Sequence, residues 1–183
     1  MRGIHHMLIH VPLGLWLLAT GMILLRAFSA GKLARIAEGA LPPVLILSLL
    51  GGALSILSGF LVWTWEAALY SPLTRNHILM SFWSLGIWGV ITALLMRGGS
   101  AAWEGFGSRI LAVLALVAAA LMTVTGTTGG KIAGIPSYLY APLERMGLNI
   151  YGTFYLPWVS IAILVAIGMM MALIGRLGRR NRR

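Results

Sequence analysis

The sequence predicts an all-α integral membrane protein, a helical bundle of about five transmembrane helices. Three observations predict it. Of 183 residues, 59% are hydrophobic and only 10% charged, and the mean hydropathy is +0.90. A soluble domain of this length has too little interior to hide so much apolar surface. The apolar residues also fall into stretches near the roughly 20 residues that cross a bilayer as a helix. Finally, the basic residues between those stretches are unevenly shared between the two sides.

The first stretch is residues 4–28. Pro12 either opens its regular part or kinks it. AFSA beyond it is a weak cleavage site and the run is longer than a signal core, so it reads as a retained helix. The second, residues 43–69, is opened by Pro42 and Pro43 in its first turn. The third, 72–96, has Ser71 as N-cap ahead of Pro72. The fourth is 109–129, where Gly126, Gly129 and Gly130 read as a helix terminus. The fifth is 154–173, with Pro157 near its start. Residues 1–175 thus form one transmembrane domain and 176–183 a basic tail. No internal repeat stands out. Between the fourth and fifth stretches, IPSYLYAPLERMG is apolar enough to form a short helix on the membrane surface.

Five spans put the termini on opposite sides. With a cytoplasmic C-terminus, the inner side holds Arg26, Lys32, Arg35, Arg97, Arg109 and the five arginines of the tail, against Arg2, Arg75, Lys131 and Arg145 outside. That bias sets the N-terminus outside, in the bacterial inner membrane. It also accounts for the net charge of +10 without a nucleic-acid partner. The partners expected are the lipid bilayer and other membrane or periplasmic redox subunits. Trp63, Trp65, Tyr70, Tyr138, Tyr140, Tyr151, Tyr155 and Trp158 fall near the outer interface, where aromatic belts form. There is no cysteine, which excludes disulfides, thioether-linked haem and thiolate metal sites in this chain.

The chemistry lies in the histidines. HHMLIHVPLG places His5, His6 and His10 at the mouth of the first span, and His77 opens the third. Imidazoles in or near hydrocarbon usually have a task. His10 and His77 each lie roughly 7–9 Å below an outer helix end at about 1.5 Å per residue, so two helices bring a histidine to one depth. That pattern suits a b-type haem with both axial positions closed by imidazole. His6 and His10, at i and i+4, share a helix face and with His77 suggest instead a copper or zinc site. Histidines hydrogen-bonded to water or backbone are the plain alternative. Gly14, one turn below His10, and the stripe Gly51, Ser55 and Gly59 offer room for a flat macrocycle or for ordinary helix packing. Arg75, Lys131 and Arg2 are candidate propionate donors, and Glu66 a candidate acceptor for a histidine N–H. TVTGTTGGK is not a phosphate loop, since only three residues separate Gly126 from the Gly130–Lys131 pair where four are needed. The methionines 169–171 read as gap-filling.

HHMLIHVPLGLWLL resembles the opening of a bacterial family of small membrane proteins, domain of unknown function 2231, which typically begins His-Pro-x-x-x-His-Phe-Pro. His5 and His10 stand at the two histidines, His6 at the proline, and Pro12 matches. SGFLVW at 58–63 is similar to a Ser/Gly-x-x-Asp-Trp segment, with Val62 in place of the Asp. His77 matches a third histidine, and TGTTGGKIAGI resembles a Gly-x-x-Gly-Gly segment. The resemblance covers roughly the first 135 residues. The family has no settled activity, but relatives fused to or beside redox domains, including Rieske-type ones, tilt the expectation toward electron transfer, and the resemblance singles out His5, His10 and His77. The expectation is a haem b subunit ligated by His10 and His77 that exchanges electrons between a periplasmic redox protein and the quinone pool or a larger complex. A second haem would need a neighbouring chain to complete it through His5 or His6. The rival expectations are a haem-free accessory subunit and a histidine-lined copper protein.

Overall fold

The computed structural model describes residues 2–62, 64, 66, 70–135, 139–147, 162, 165–167 and 169. Four long apolar helices dominate: α1 (Arg2–Phe28), α2 (Lys32–Phe60), α3 (Pro72–Gly98) and α4 (Gly107–Ile132). Each is long and apolar enough to cross a membrane. The chain is therefore an all-α, multi-pass membrane bundle. A 3₁₀ segment (Gly99–Trp103) links α3 to α4, and a short α5 (Tyr140–Arg145) lies within the stretch expected to form a surface helix. The expected fifth span, 154–173, lies outside the described residues apart from a few scattered positions.

Several ends differ from expectation. Ser71 caps α3 as anticipated, its hydroxyl accepting the Thr74 N–H at 3.3 Å. α2 begins eleven residues early, at Lys32, and carries Pro42 and Pro43 in its interior. Their rings are exposed and cost two backbone N–H donors, which neighbouring structure in a membrane helix tolerates. α4 does not end at Gly126–Gly130. It runs on to a Schellman turn in which Gly134 takes φ +80°, with Gly134 N–H donating to Lys131 O and Ile135 N–H to Gly130 O. Only a residue without Cβ enters that conformation freely.

The helices run up and down in a ring: α1 packs on α2, α2 on α3, α3 on α4, and α4 back on α1. Each buries a narrow stripe and turns large apolar side chains such as Leu17, Leu47, Leu57 and Val113 outward. That is the reverse of a soluble bundle's polar exterior and suits lipid contact.

The packing exposes an internal duplication that sparse identities conceal in the sequence. His5, Leu13, Gly14, Trp16 and Thr20 of α1 recur as His77, Leu85, Gly86, Trp88 and Thr92 of α3, at identical spacing. Ser55, Ser58 and Gly59 of α2 recur as Thr125, Thr128 and Gly129 of α4. Burial repeats with them. Trp16, Ala19, Thr20 and Ile23 are buried in one half and Trp88, Ile91, Thr92 and Leu95 in the other. Leu41, Leu45 and Ser48 match Leu111, Ala115 and Ala118. So do hydrogen bonds: Thr20 Oγ1 donates to Trp16 O and Thr92 Oγ1 to Trp88 O, both at 2.8 Å. Two like hairpins, α1–α2 and α3–α4, thus surround an approximate two-fold axis along the bundle. Trp16 and Trp88 stack across it, ring centroids 6.0 Å apart and planes within 1°. Gly52 makes room for this pair, since a Cβ there would lie 2.7 Å from Trp16 Cη2.

At the end that carries Lys32 and Arg97, Arg26 Nε donates to Glu38 Oε2 at 2.6 Å and its guanidinium sits 5.4 Å from the Trp103 ring. This clasp ties α1 to α2 and to the α3–α4 connection.

Candidate histidine site

The other end of the bundle gathers the polar groups, and all four helices contribute. His5 of α1 turns inward against α2. Its Nδ1 is 2.9 Å from Ser58 Oγ. The Ser58 hydroxyl is already donated to Ser55 O at 2.8 Å, so Ser58 accepts and His5 Nδ1–H donates. His77 of α3 does the same against α4. Its Nδ1 lies 3.0 Å from Thr125 O and 3.2 Å from Thr128 Oγ1. A carbonyl only accepts, so His77 also carries its proton on Nδ1. In both rings the hydrogen bond fixes the tautomer and leaves the Nε2 lone pair uncommitted, the state of an imidazole ready to ligate a metal.

Each ring also rests on a glycine. A Cβ at Gly59 would lie 3.2 Å from His5 Cε1, and one at Gly129 would lie 2.8 Å from His77 Cε1. The two sites are the same site built twice by the duplication. They stand on α1 and α3, helices that face each other across the ring.

The expected ligand pair was His10 and His77. The structure brings His5, not His10, to the interior with His77. His10 is exposed on α1, because five residues turn a helix by about 140° from His5 at 3.6 residues per turn. Depth alone suggested His10, but rotation decides which ring faces inward. The buried stripe Pro12, Trp16, Ala19 and Ile23, extended back by one heptad from Pro12, falls on His5. That was the available signal. His6 is exposed as well, its ring 6.1 Å from that of His5. The three-histidine copper arrangement of His6, His10 and His77 therefore does not assemble, and among the described residues no three His, Cys, Asp or Glu group as metal ligands.

Of the other candidates, Gly59, expected to give room to a macrocycle or to helix packing, lies against the His5 ring. Gly14 is exposed with no atom within 4 Å of a would-be Cβ, so it makes no room inside. Arg75 is half-buried two residues before His77. Glu66 is exposed, and both imidazole Nδ1 protons go to Ser58, Thr125 and Thr128 instead. Those partners, Ser58, Thr125 and Thr128, were missed as such. The shared pattern Ser/Thr-x-x-Ser/Thr-Gly at 55–59 and 125–129 was their signal. Trp63 and Trp65 lie outside the described residues.

The described residues define a membrane bundle with four long helices and a paired, two-fold-related histidine site at one end. No protein-family model matches the chain, and no curated protein or solved structure matches it significantly.

Proposed function

We propose that this chain is a b-type cytochrome subunit of the bacterial inner membrane, holding haem b through His5 and His77 near the outer face. The observation that carries the reading is the matched pair of imidazoles. Both are held by Nδ1–H bonds, both offer Nε2, both are seated on glycine, and they come from helices facing one another across the bundle axis. His5 and His77 would each supply one imidazole to the haem iron. Haem b contributes a one-electron ferric/ferrous couple when bound. The chain's own residues set its surroundings. Ser58 and the Thr125 carbonyl raise the basicity of the imidazoles through their Nδ1 protons. The apolar wall of Trp16, Trp88 and Met80 keeps water out. Held by His5 and His77 together, the haem would supply electron transfer and no substrate chemistry. Its partners are other membrane or periplasmic redox subunits. The positive-inside bias of the loops supports the outward orientation.

The test is a dithionite-reduced minus oxidised spectrum of the detergent-purified chain, with a pyridine haemochrome count. The expected result is one haem b per chain, lost on His5→Ala or His77→Ala and kept on His10→Ala. Protein taken gently from its native membrane without haem would overturn the reading. Haem lost on His10→Ala but kept on His5→Ala would overturn the ligand assignment.

A further inference from the structure

The duplication is broken at the seams between its halves, and the break has a definite chemistry. Two seams join the hairpins, α2/α3 and α1/α4, and the two-fold axis makes them equivalent. At the α2/α3 seam Phe60 meets Phe82, ring centroids 6.3 Å apart, and the seam is filled. The residues equivalent to Phe60 and Phe82 are Gly130 and His10. At the α1/α4 seam there is instead an open groove of about 380 Å³, lined by Leu13, Leu17, Thr123, Gly126, Thr127 and Gly130 among others.

The strip of α1 that lines the groove continues to two imidazoles. His6, His10, Leu13 and Leu17 follow the spacing 4, 3, 4 and so form one strip of α1, of which Leu13 and Leu17 line the groove. The matching strip of α3 carries Ile78 and Phe82 where α1 has His6 and His10. His10 makes no hydrogen bond among the described residues. An imidazole without a protein partner, exposed beside a spanning helix, is costly in hydrocarbon unless a ligand meets it. One half of the molecule thus has an aromatic pair where the other has an open groove lined in part by Gly126, Thr127 and Gly130, with His10 about one turn beyond Leu13 on the same strip of α1. The volume lies within the range of small-molecule sites.

We propose that this groove binds the ring of an isoprenoid quinone or its quinol, with His10 hydrogen-bonding a ring oxygen. A quinone is flat and apolar, bears polar atoms only at the two ends of its ring, and arrives laterally through lipid. The slot answers each trait: glycines for the ring face, leucines for the tail, imidazole for the oxygen, and an opening toward the bilayer. The inference gives the proposed cytochrome its membrane partner and rests on that reading for its purpose, though the binding can be measured without it.

The experiment uses the full chain in lipid nanodiscs and a photoreactive azido-benzoquinone with a decyl tail. Competition comes from unlabelled decyl-benzoquinone, and mapping is by mass spectrometry. Wild type should be labelled within residues 2–17 or 122–135, and competitor should suppress the label. Gly130→Phe, which copies the filled seam, and the double variant His6→Ile/His10→Phe, which copies its chemistry, should each lower competable labelling at least tenfold while elution volume and any haem spectrum stay unchanged. Absent labelling in wild type overturns the proposal. Equal labelling in wild type and both variants also overturns it. Labelling that behaves as expected in a chain devoid of haem would sustain the quinone site and sink the cytochrome reading.

Discussion

Replacing Gly129 by alanine tests how the site is built. A Cβ there meets His77 Cε1 at 2.8 Å, and ordinary contact needs about 3.4 Å, so the ring retreats by about 0.6 Å. The Nδ1 contacts of 3.0 Å to Thr125 O and 3.2 Å to Thr128 Oγ1 then stretch to or beyond the limit of a hydrogen bond. Each is worth about 1 kcal/mol net. The loss is about 2 kcal/mol of ring orientation, or roughly thirty-fold in affinity for a ligand held by His77. The same change at Gly59 meets His5 Cε1 at 3.2 Å. It needs only about 0.2 Å of retreat, which the 2.9 Å bond to Ser58 absorbs. Titrating detergent-solubilised apoprotein with hemin, followed by its visible absorption, should therefore rank Gly129→Ala far below Gly59→Ala. Gly59→Ala should fall close to Gly14→Ala, which meets nothing within 4 Å. Equal affinities for Gly129→Ala and Gly14→Ala would refute the reasoning. Identical melting of the two variants would refute even its packing half.

Three further outcomes are expected. Gly52→Ala drives a methyl into Trp16 and should cost about 1–3 kcal/mol, seen as earlier loss of the near-ultraviolet circular dichroism of the tryptophan stack on heating. An unchanged melt would show that Trp16 moves freely. Thr128→Ser keeps the hydroxyl that accepts from His77, and Ser58→Thr keeps the one that accepts from His5. Both should leave a haem midpoint potential unmoved, whereas Ser58→Ala should shift it by tens of millivolts, roughly 1 kcal/mol; potentiometric titration decides, and a Ser58→Ala potential equal to wild type counts against the tautomer argument. Glu38→Gln breaks a clasp whose two side chains are about a quarter exposed, so it should cost no more than about 1 kcal/mol. A larger loss in thermal unfolding would mean that Arg26 depends on Glu38 to hold Trp103.

The helices were legible because membrane helices announce themselves by apolar length, and the α3 start was legible because Ser71 and Pro72 speak locally. The α2 start was not, since Pro42 and Pro43 ordinarily stop a helix and only membrane surroundings tolerate them inside one. The two histidine-bearing helices were also found, but the choice between His5 and His10 turned on rotation, and depth carries no rotational information. The duplication escaped notice for a related reason. Its signature is spread thinly, as one histidine, a Leu-Gly, a tryptophan and a threonine, and the second helices of the hairpins are offset by two residues less than the first. Only when burial is laid over the sequence do the two halves fall into register.

The stacked tryptophans have an electrical meaning. Together with Ile23, Leu41, Leu45, Leu95 and Leu111, all at most 8% exposed, they fill the bundle between the histidines and the Arg26–Glu38 clasp with side chains that carry no charge. Such a plug is an insulator. If the histidine end holds the proposed haem, electrons that enter and leave there, and protons released with them, would stay on one side of it. The subunit would then pass redox equivalents along one face of the membrane without moving charge across it, and its turnover would be indifferent to the membrane voltage.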